Sequence, residues 1–273
     1  MVGFRRGRIE VKSRDQLAAM RAAGWIVAET LRVVAGAVSP GITTAQLDAI
    51  AAEVIGDHGA LPSFLGYHGF PATICVSVNQ EIVHGIPGPR VIHEGDLVSI
   101  DCGAIVDGWH GDAAVSVLVG EVPSELTLLS AVTEASLWAG IRAAEVGARI
   151  GDIGYAVESA IESAAEEHGQ PFDIVDGYTG HGIGSAMHMA PDVPNFGEPG
   201  RGPKLAPGMA IAIEPMITLG SADTRVLADD WTVVSAAGSP AAHWEHTVAV
   251  TPAGPWVLTA EDGGGLLRGD PLA

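Results

Sequence analysis

LVSIDCGAIVDGWHGDAAVSVLV, residues 97–119, is two apolar runs that meet at Asp107-Gly108. An Asp-Gly pair between such runs is the strongest short-range signal for a two-residue type I′ turn, because both central residues take positive φ. The turn sets the register of the hairpin it closes. With Val106 opposite Trp109, Gly103 falls opposite Asp112 and Asp101 opposite Ala114, so the two aspartates are diagonal neighbours on one face. Their backbones are then roughly 7–8 Å apart, close enough for both carboxylates to reach a shared ion, with open space expected over Gly103. Two carboxylates on an apolar hairpin are costly to desolvate unless something positive sits between them. Solvated aspartates on a half-exposed hairpin would show the same pattern, so the choice rests on the remaining sequence.

The chain has 273 residues, 47% apolar and 17% charged, which fits a globular protein with a substantial core and argues against disorder. Its formal net charge is −19, and Lys12 and Lys204 are its lysines. Such a surface repels phosphate backbones and argues against specific nucleic-acid binding by the body of the chain. Residues 1–12 form a basic arm, in which Arg5, Arg6, Arg8 and Lys12 oppose Glu10, and Arg14 follows. The arm is either a solvated tail or a contact for ribosomal RNA or an acidic partner. No apolar signal core follows it and no run of 18 apolar residues occurs, so neither secretion nor membrane insertion is expected. Two cysteines, Cys75 and Cys102, make no disulfide framework, and a reducing cytoplasm is the expected location.

Ser13 is a capping residue for a helix to Ala37, with Leu17, Met20, Ala23, Gly24, Val27, Leu31 and Val34 at helical spacing. Pro40-Gly41 ends it, and Thr43 or Thr44 starts a second helix that stops near Gly59. Ala72 to Val78 has the pattern of a strand, preceded by a glycine- and proline-broken loop that presents Tyr67, His68 and Phe70. His84 follows, ahead of a Gly-Ile-Pro turn. Two more helices, 124–144 and 150–168, precede strand-rich sequence, which repeats the element order of the first part. The expectation is one α+β domain over residues 13–259, built from two halves (about 13–122 and 123–259) with a curved antiparallel sheet inside and helices outside. Residues 260–273 are expected to be a flexible tail.

Three further polar islands interrupt apolar sequence. His181 lies between Gly180 and Gly182 with His188 seven residues on, Glu214 lies in MAIAIEPMIT, expected as a strand closed by Pro215, and Glu245 lies in the middle of AAHWEHTVAVT, also expected as a strand. Glycines around a histidine let backbones approach closely. Carboxylates among aliphatic strand residues are rarely buried unpaired. Asp101, Asp112, Glu214, Glu245 and His181 together are four hard carboxylates and an imidazole. Bare, they would repel; two divalent cations would neutralise about four negative charges, which points to a dinuclear hydrolytic site.

IDCGAIVDGWHGD (100–112), GYTGHGIGSAMH (177–188), IAIEPM (211–216) and HWEHTVAV (243–250) resemble, in order and spacing, the signature segments of type I methionine aminopeptidases of the pita-bread fold. SFLGYHGFPATICVSVNQEIVHGIP (63–87) resembles the substrate-pocket segment of the same family. The resemblance runs from about Ile9 to Val250 and implies a pita-bread fold with a pseudo-twofold pair of halves. It implies removal of the initiator methionine from nascent polypeptides, with a small second residue preferred, by attack of water or hydroxide bound to two divalent metals (Co, Mn, Fe or Zn). The implied metal ligands are Asp101, Asp112, His181, Glu214 and Glu245, with Asp112 and Glu245 bridging. His84 is implied beside the scissile amide, His188 at its carbonyl oxygen and Glu214 as general base, while Tyr67, Phe70, Cys75, Met187 and Trp231 fall where the family lines its methionine pocket. A monomer is the family's habit, and the basic arm is a candidate ribosome contact. Phe64 departs from the small residue that relatives often carry at the pocket entrance, and Met189 and Ala190 stand where many relatives place acidic residues.

Two other readings share the fold. Xaa-Pro aminopeptidases and prolidases usually carry a separate N-terminal domain, whereas fewer than 15 residues precede the first helix here. Non-catalytic binding proteins of the fold typically lose several ligands, and all five are present.

Overall fold

The computed structural model describes residues 7–272. Helix α1 (Arg14–Ala37) begins with a capping box in which Ser13 Oγ accepts from the Gln16 N–H and the Gln16 side chain accepts from the Ser13 N–H. Thr43 and Gln46 repeat the device at α2 (Thr44–Asp57). Helix α3 (Ser124–Ala143) follows Pro123, and α4 (Ile150–His168) ends at Gly169, whose φ of 62° suits a glycine stop. These bounds agree with the sequence expectation to within a residue or two. The apolar positions expected on the inner face of α1 are all buried.

Nine strands make the main sheet: β1 (Leu61–Pro62), β2 (Ile74–Val78), β3 (Leu97–Val106), β4 (Trp109–Leu118), β5 (Gly180–Gly182), β6 (Met189–Val193), β7 (Ala210–Ile213), β8 (Glu245–Thr251) and β9 (Gly254–Val257). The order is β1-β3-β4-β8-β7-β5-β6, with β2 on β3 and β9 on β8, and every pairing is antiparallel. Asp107 (φ 52°) and Gly108 (φ 80°) close the β3-β4 hairpin with the expected double-positive turn, and Val106 pairs with Trp109. The two halves meet where β4 pairs with β8. Under α1 and α2 the core includes Val27, Leu31, Leu47, Ile74 and Ile100; under α3 and α4 it includes Leu137, Ile141, Ile153, Ile211 and Val248. Each fully buried aliphatic side chain contributes about 1.5–3 kcal/mol through burial. Helix α1 comes unusually close to the hairpin. A Cβ on Gly111 would stand 2.7 Å from the Gly24 backbone nitrogen, so the crossing needs glycine there.

Three expectations change. The strand expected to close at Pro215 ends at Ile213, so Glu214 lies just past it, and the segment carrying Glu245 is not one continuous strand. Ala210–Ile213 leaves the main sheet at Glu214-Pro215, and Met216–Thr218 continues in a second sheet with Ala241–His243 and Asp173–Ile174. Likewise Ala241–His243 stops at Trp244 and Glu245 opens β8. Pro215 has no N–H for a ladder, so the two-stranded ribbon turns from one sheet to the other at the glutamates. Secondly, Arg5 and Arg6 of the basic arm lie outside the described residues, and Lys12 is buried rather than solvated: its Nζ lies 3.3 Å from Glu10 Oε1. Glu10 in turn accepts from Ser185 Oγ, which ties the arm to the segment before His188. Thirdly, the described part of the expected tail folds back. Arg21 donates to the carbonyls of Leu258, Ala260 and Glu261, and Leu266 and Leu267 pack on the core.

Candidate active site

The strand register alone gathers most of the polar residues. Cys75 pairs with Asp101, Asp101 with Ala114, and Ala114 with Glu245. Because directly paired residues share a face, these side chains form a transverse row, which Glu214 extends just beyond the His246–Ile213 pair. A second row lies two residues along the strands. Gly103 pairs with Asp112, Thr247 pairs with Ala212, and His181 sits on β5 beside β7. Small residues at Ala114, Ala212 and Gly103 separate the ligand-type residues. Thr247 joins the middle of the second row, since its Oγ1 accepts from the Asp112 N–H at 3.0 Å and donates to the Asp112 carbonyl at 2.8 Å.

Among the described residues, ligand atoms of Asp112, His181 and Glu245 all lie within 4.8 Å of one another. His181 Nδ1–H donates to the Gly182 carbonyl at 3.1 Å, which leaves the Nε2 lone pair directed toward Glu214 Oε1, 3.4 Å away. The glycines beside it allow this. A Cβ on Gly180 would meet the Ala212 carbonyl oxygen at 2.3 Å, and one on Gly182 the Ala190 carbonyl oxygen at 2.2 Å. One sequence expectation fails in detail: the space over Gly103 is not left open for an ion, because Ser63 Cβ and Phe64 Cε1 stand 2.8 and 2.9 Å from where its Cβ would be. The aspartates converge beside that contact.

Electrostatics and hydrogen bonding both call for cations here. Burial raises the Asp101 carboxyl to about 7. Burial first, and neighbouring carboxylates second, push Asp112, Glu214 and Glu245 well above the ordinary carboxylate range. Asp101 Oδ1, Asp112 Oδ1 and Glu245 Oε1 are buried without a hydrogen-bond partner among the described residues. Buried polar atoms are normally satisfied, and oxygen donors with an imidazole suit divalent cations, so this donor set fits metal.

All the residues expected at the site line one cavity of about 590 Å³, its mouth included. Tyr67 and Phe70 come from the turn before β2, Cys75 from β2, His84 from the segment after Glu81–Val83, and Met187 and His188 from the β5-β6 loop. Trp231 completes an apolar end with Phe64, Phe70, Cys75 and Met187. Phe70 meets Trp231 edge-on at 5.1 Å and Phe64 at 6.4 Å. Tyr67 Oη lies 2.8 Å from His188 Nδ1, and the His188 ring is 4.3 Å from that of His181. His84 sits at φ 60°, a left-handed conformation, and burial lowers it to about 4, so it is neutral at pH 7.

The sequence reading did not single out His243, Thr247 or Asn195. His243 lines the cavity, its Nε2 3.8 Å from Glu214 Oε2; burial lowers it to about 3. Asn195 Nδ2 donates to the Glu214 carbonyl at 3.0 Å. His243 stands two positions before Glu245, and that spacing was the available signal.

The profile of metallopeptidase family M24 matches residues 18–252. A methionine aminopeptidase 1 from Mycobacterium tuberculosis is 54% identical over 257 residues, covering 93% of this chain and 97% of its own. The chain belongs to metallopeptidase family M24, on its type I methionine aminopeptidase branch. The crystal structure of a methionine aminopeptidase from Thermotoga maritima superposes with a TM-score of 0.89 at 38% identity, covering 93% of this chain and all of that one (100%). A prolidase from Pyrococcus furiosus, at 20% identity and TM-score 0.70, is covered over only 65% of its length and shares the fold alone. The M24 pita-bread architecture thus accounts for the curled antiparallel sheet with helices outside.

Proposed function

We propose that this chain is a metal-dependent methionyl aminopeptidase that removes the N-terminal methionine from nascent polypeptides, prefers a small second residue, and uses two divalent ions drawn from Co, Mn, Fe or Zn. One observation carries the reading: four carboxylates and an imidazole adjoin an apolar, sulfur-containing slot in a single cavity. Polypeptide N-termini offer the two matching groups, a free α-amine whose neutral form is a nitrogen donor suited to a metal-loaded carboxylate cluster, and a flexible thioether suited to Phe70, Cys75, Met187 and Trp231. Asp101, Asp112, His181, Glu214 and Glu245 would hold the ions, which when bound would supply Lewis acidity toward the peptide carbonyl and lower the pKa of a water.

The protein's own groups then position and move protons. The apolar slot holds the methionine side chain, and the carboxylate end receives the free amine, which limits cleavage to the first peptide bond. Glu214 accepts the proton of the attacking water and returns it to the departing amine. His84, neutral because it is buried, contacts the scissile amide. With Tyr67 Oη held at Nδ1, His188 donates from Nε2 to the carbonyl oxygen as negative charge builds on it. No helix among the described residues is long and apolar enough to cross a membrane. Of the basic arm, Arg8 is exposed, as is Arg14 at the start of α1, and they are the described groups through which a ribosome contact would run.

The test is release of free amino acid from Met-Ala-Ser, Ala-Pro-Gly and Leu-Gly-Gly after chelation and return of Mn²⁺ or Co²⁺. Metal-dependent release of methionine from the first peptide alone is the expected result. Release from Ala-Pro-Gly alone would move the chain to the proline-directed branch.

A further inference from the structure

His243 ends the short strand Ala241–His243 and is 2% exposed. Its backbone is clamped from both sides by the hairpin: the N–H donates to Ser116 Oγ at 3.1 Å and Ser99 Oγ at 3.3 Å, and Ser116 Oγ donates to the carbonyl at 2.9 Å. The ring therefore has a fixed origin, and it lines the cavity. Its Nε2 is buried and has no hydrogen-bond partner among the described residues. The nearest acidic atoms are Glu214 Oε2 at 3.8 Å and Glu245 Oε2 at 4.0 Å. Those separations are too long for hydrogen bonds. They do match atoms that serve one cation, since two donors each about 2.0–2.2 Å from an ion are no more than about 4.4 Å apart.

We propose that His243 is a further nitrogen donor to the metal centre, adding a second imidazole beside His181 on the side of Glu214 and Glu245. The inference rests on the metal-dependent reading above and deepens it. It explains why an imidazole nitrogen is held without a hydrogen bond between two ligand-type carboxylates. A second nitrogen donor moves the site away from Mg²⁺ and Mn²⁺ and toward Zn²⁺, Co²⁺ and Fe²⁺, which imidazole suits better.

The experiment is X-ray absorption at the zinc edge of the full chain, stripped of metal and reloaded with Zn²⁺, counting imidazole scatterers per chain. Two in the wild type and one in His243→Gln support the proposal, together with Zn²⁺ affinity falling about 10–100-fold and Mn²⁺ affinity changing by less than about threefold. One imidazole in the wild type, or two in both proteins, overturns it. Should His243→Gln fail to fold or take up zinc, His84→Ala and His188→Ala decide: if both retain two imidazoles, His243 is the second donor, and if either drops to one, it is not. Wild-type protein that binds zinc through two imidazoles but releases no methionine would sink the peptidase reading while leaving this donor in place.

Discussion

His188 reaches its place by a different route from the metal ligands, and that difference fixes what its removal should do. It sits on the loop after β5, held through Nδ1 by the Tyr67 hydroxyl at 2.8 Å, and it is no part of the carboxylate rows. His188→Ala should therefore lower kcat about 10²–10³-fold with KM changed by less than about threefold, since its hydrogen bond strengthens only as the oxyanion forms. Steady-state kinetics on Met-Ala-Ser test this, and equal losses in kcat and KM would contradict the role. Phe64 acts on specificity instead. It is 4% exposed, meets Phe70 edge-on, and lies against Gly103 at the apolar end of the cavity. Phe64→Ala should cost about 3–5 kcal/mol of stability by leaving a void, and should raise turnover of Leu-Gly-Gly relative to Met-Ala-Ser. An unchanged ratio in thermally stable variant protein would show that Phe64 does not set the slot. At this scale Asp101 and Asp112 were legible because one Asp-Gly turn dictates their parity. His243 was not, because its approach to Glu214 depends on a chain break at Trp244 that apolar periodicity does not mark.

At the scale of elements, the hairpin and the four helices followed from local signals: a double-positive turn, capping boxes, and helical spacing of apolar residues. Pro215 marks the close of β7 to within two residues; what local pattern could not show was where β8 begins. AAHWEHTVAVT is apolar enough to be one strand, yet it breaks at Trp244, and both segments change sheet beside their glutamate. The change depends on pairing between segments about 30 residues apart, which places Met216 opposite His243 and His246 opposite Ile213. The glycines around His181 show the same dependence on tertiary approach. Gly182→Ala would push a methyl to 2.2 Å from the Ala190 carbonyl oxygen, so β5 must shift and carry His181 with it. The same residue's carbonyl accepts the His181 Nδ1 proton. Expected is a 10–100-fold loss of metal affinity with helical content retained, measured by titration of the chelated protein and by circular dichroism. Retained affinity would mean that the strand tolerates the methyl and that the glycine is incidental.

For the molecule as a whole, the site is where two helix-backed halves meet, and its acidity ties metal binding to the stability of the fold. Without metal, folding moves Asp101 from its ordinary 3.8 to about 7 through burial, and Asp112, Glu214 and Glu245 shift in the same direction. A carboxyl raised in this way binds more protons folded than unfolded, so its contribution to stability falls as pH rises toward the folded value. The buried histidines oppose this. His84 and His246 are lowered to about 4 and His243 to about 3, so unfolding takes up protons below their ordinary 6.5 and stability rises with pH up to there. From about 4 to 6.5 the two trends offset one another. Above 6.5 only the carboxyls act, with Asp101 worth at most about 4 kcal/mol over its whole shift and a fraction of that in this window. Chelated protein should therefore lose Tm between pH 6.5 and pH 8. Divalent cations reverse the balance, because they favour the ionised carboxylates and displace their protons. Metal-loaded protein should hold its Tm over the same range, and binding at pH 7 should release protons, seen as a dependence of binding heat on the buffer's ionisation enthalpy. A Tm that rises from pH 6.5 to pH 8 in the chelated protein would show that the four carboxyls do not carry protons in the folded state. The cluster would then be held ionised by groups other than metal, and the case for cations drawn from burial would fail with it.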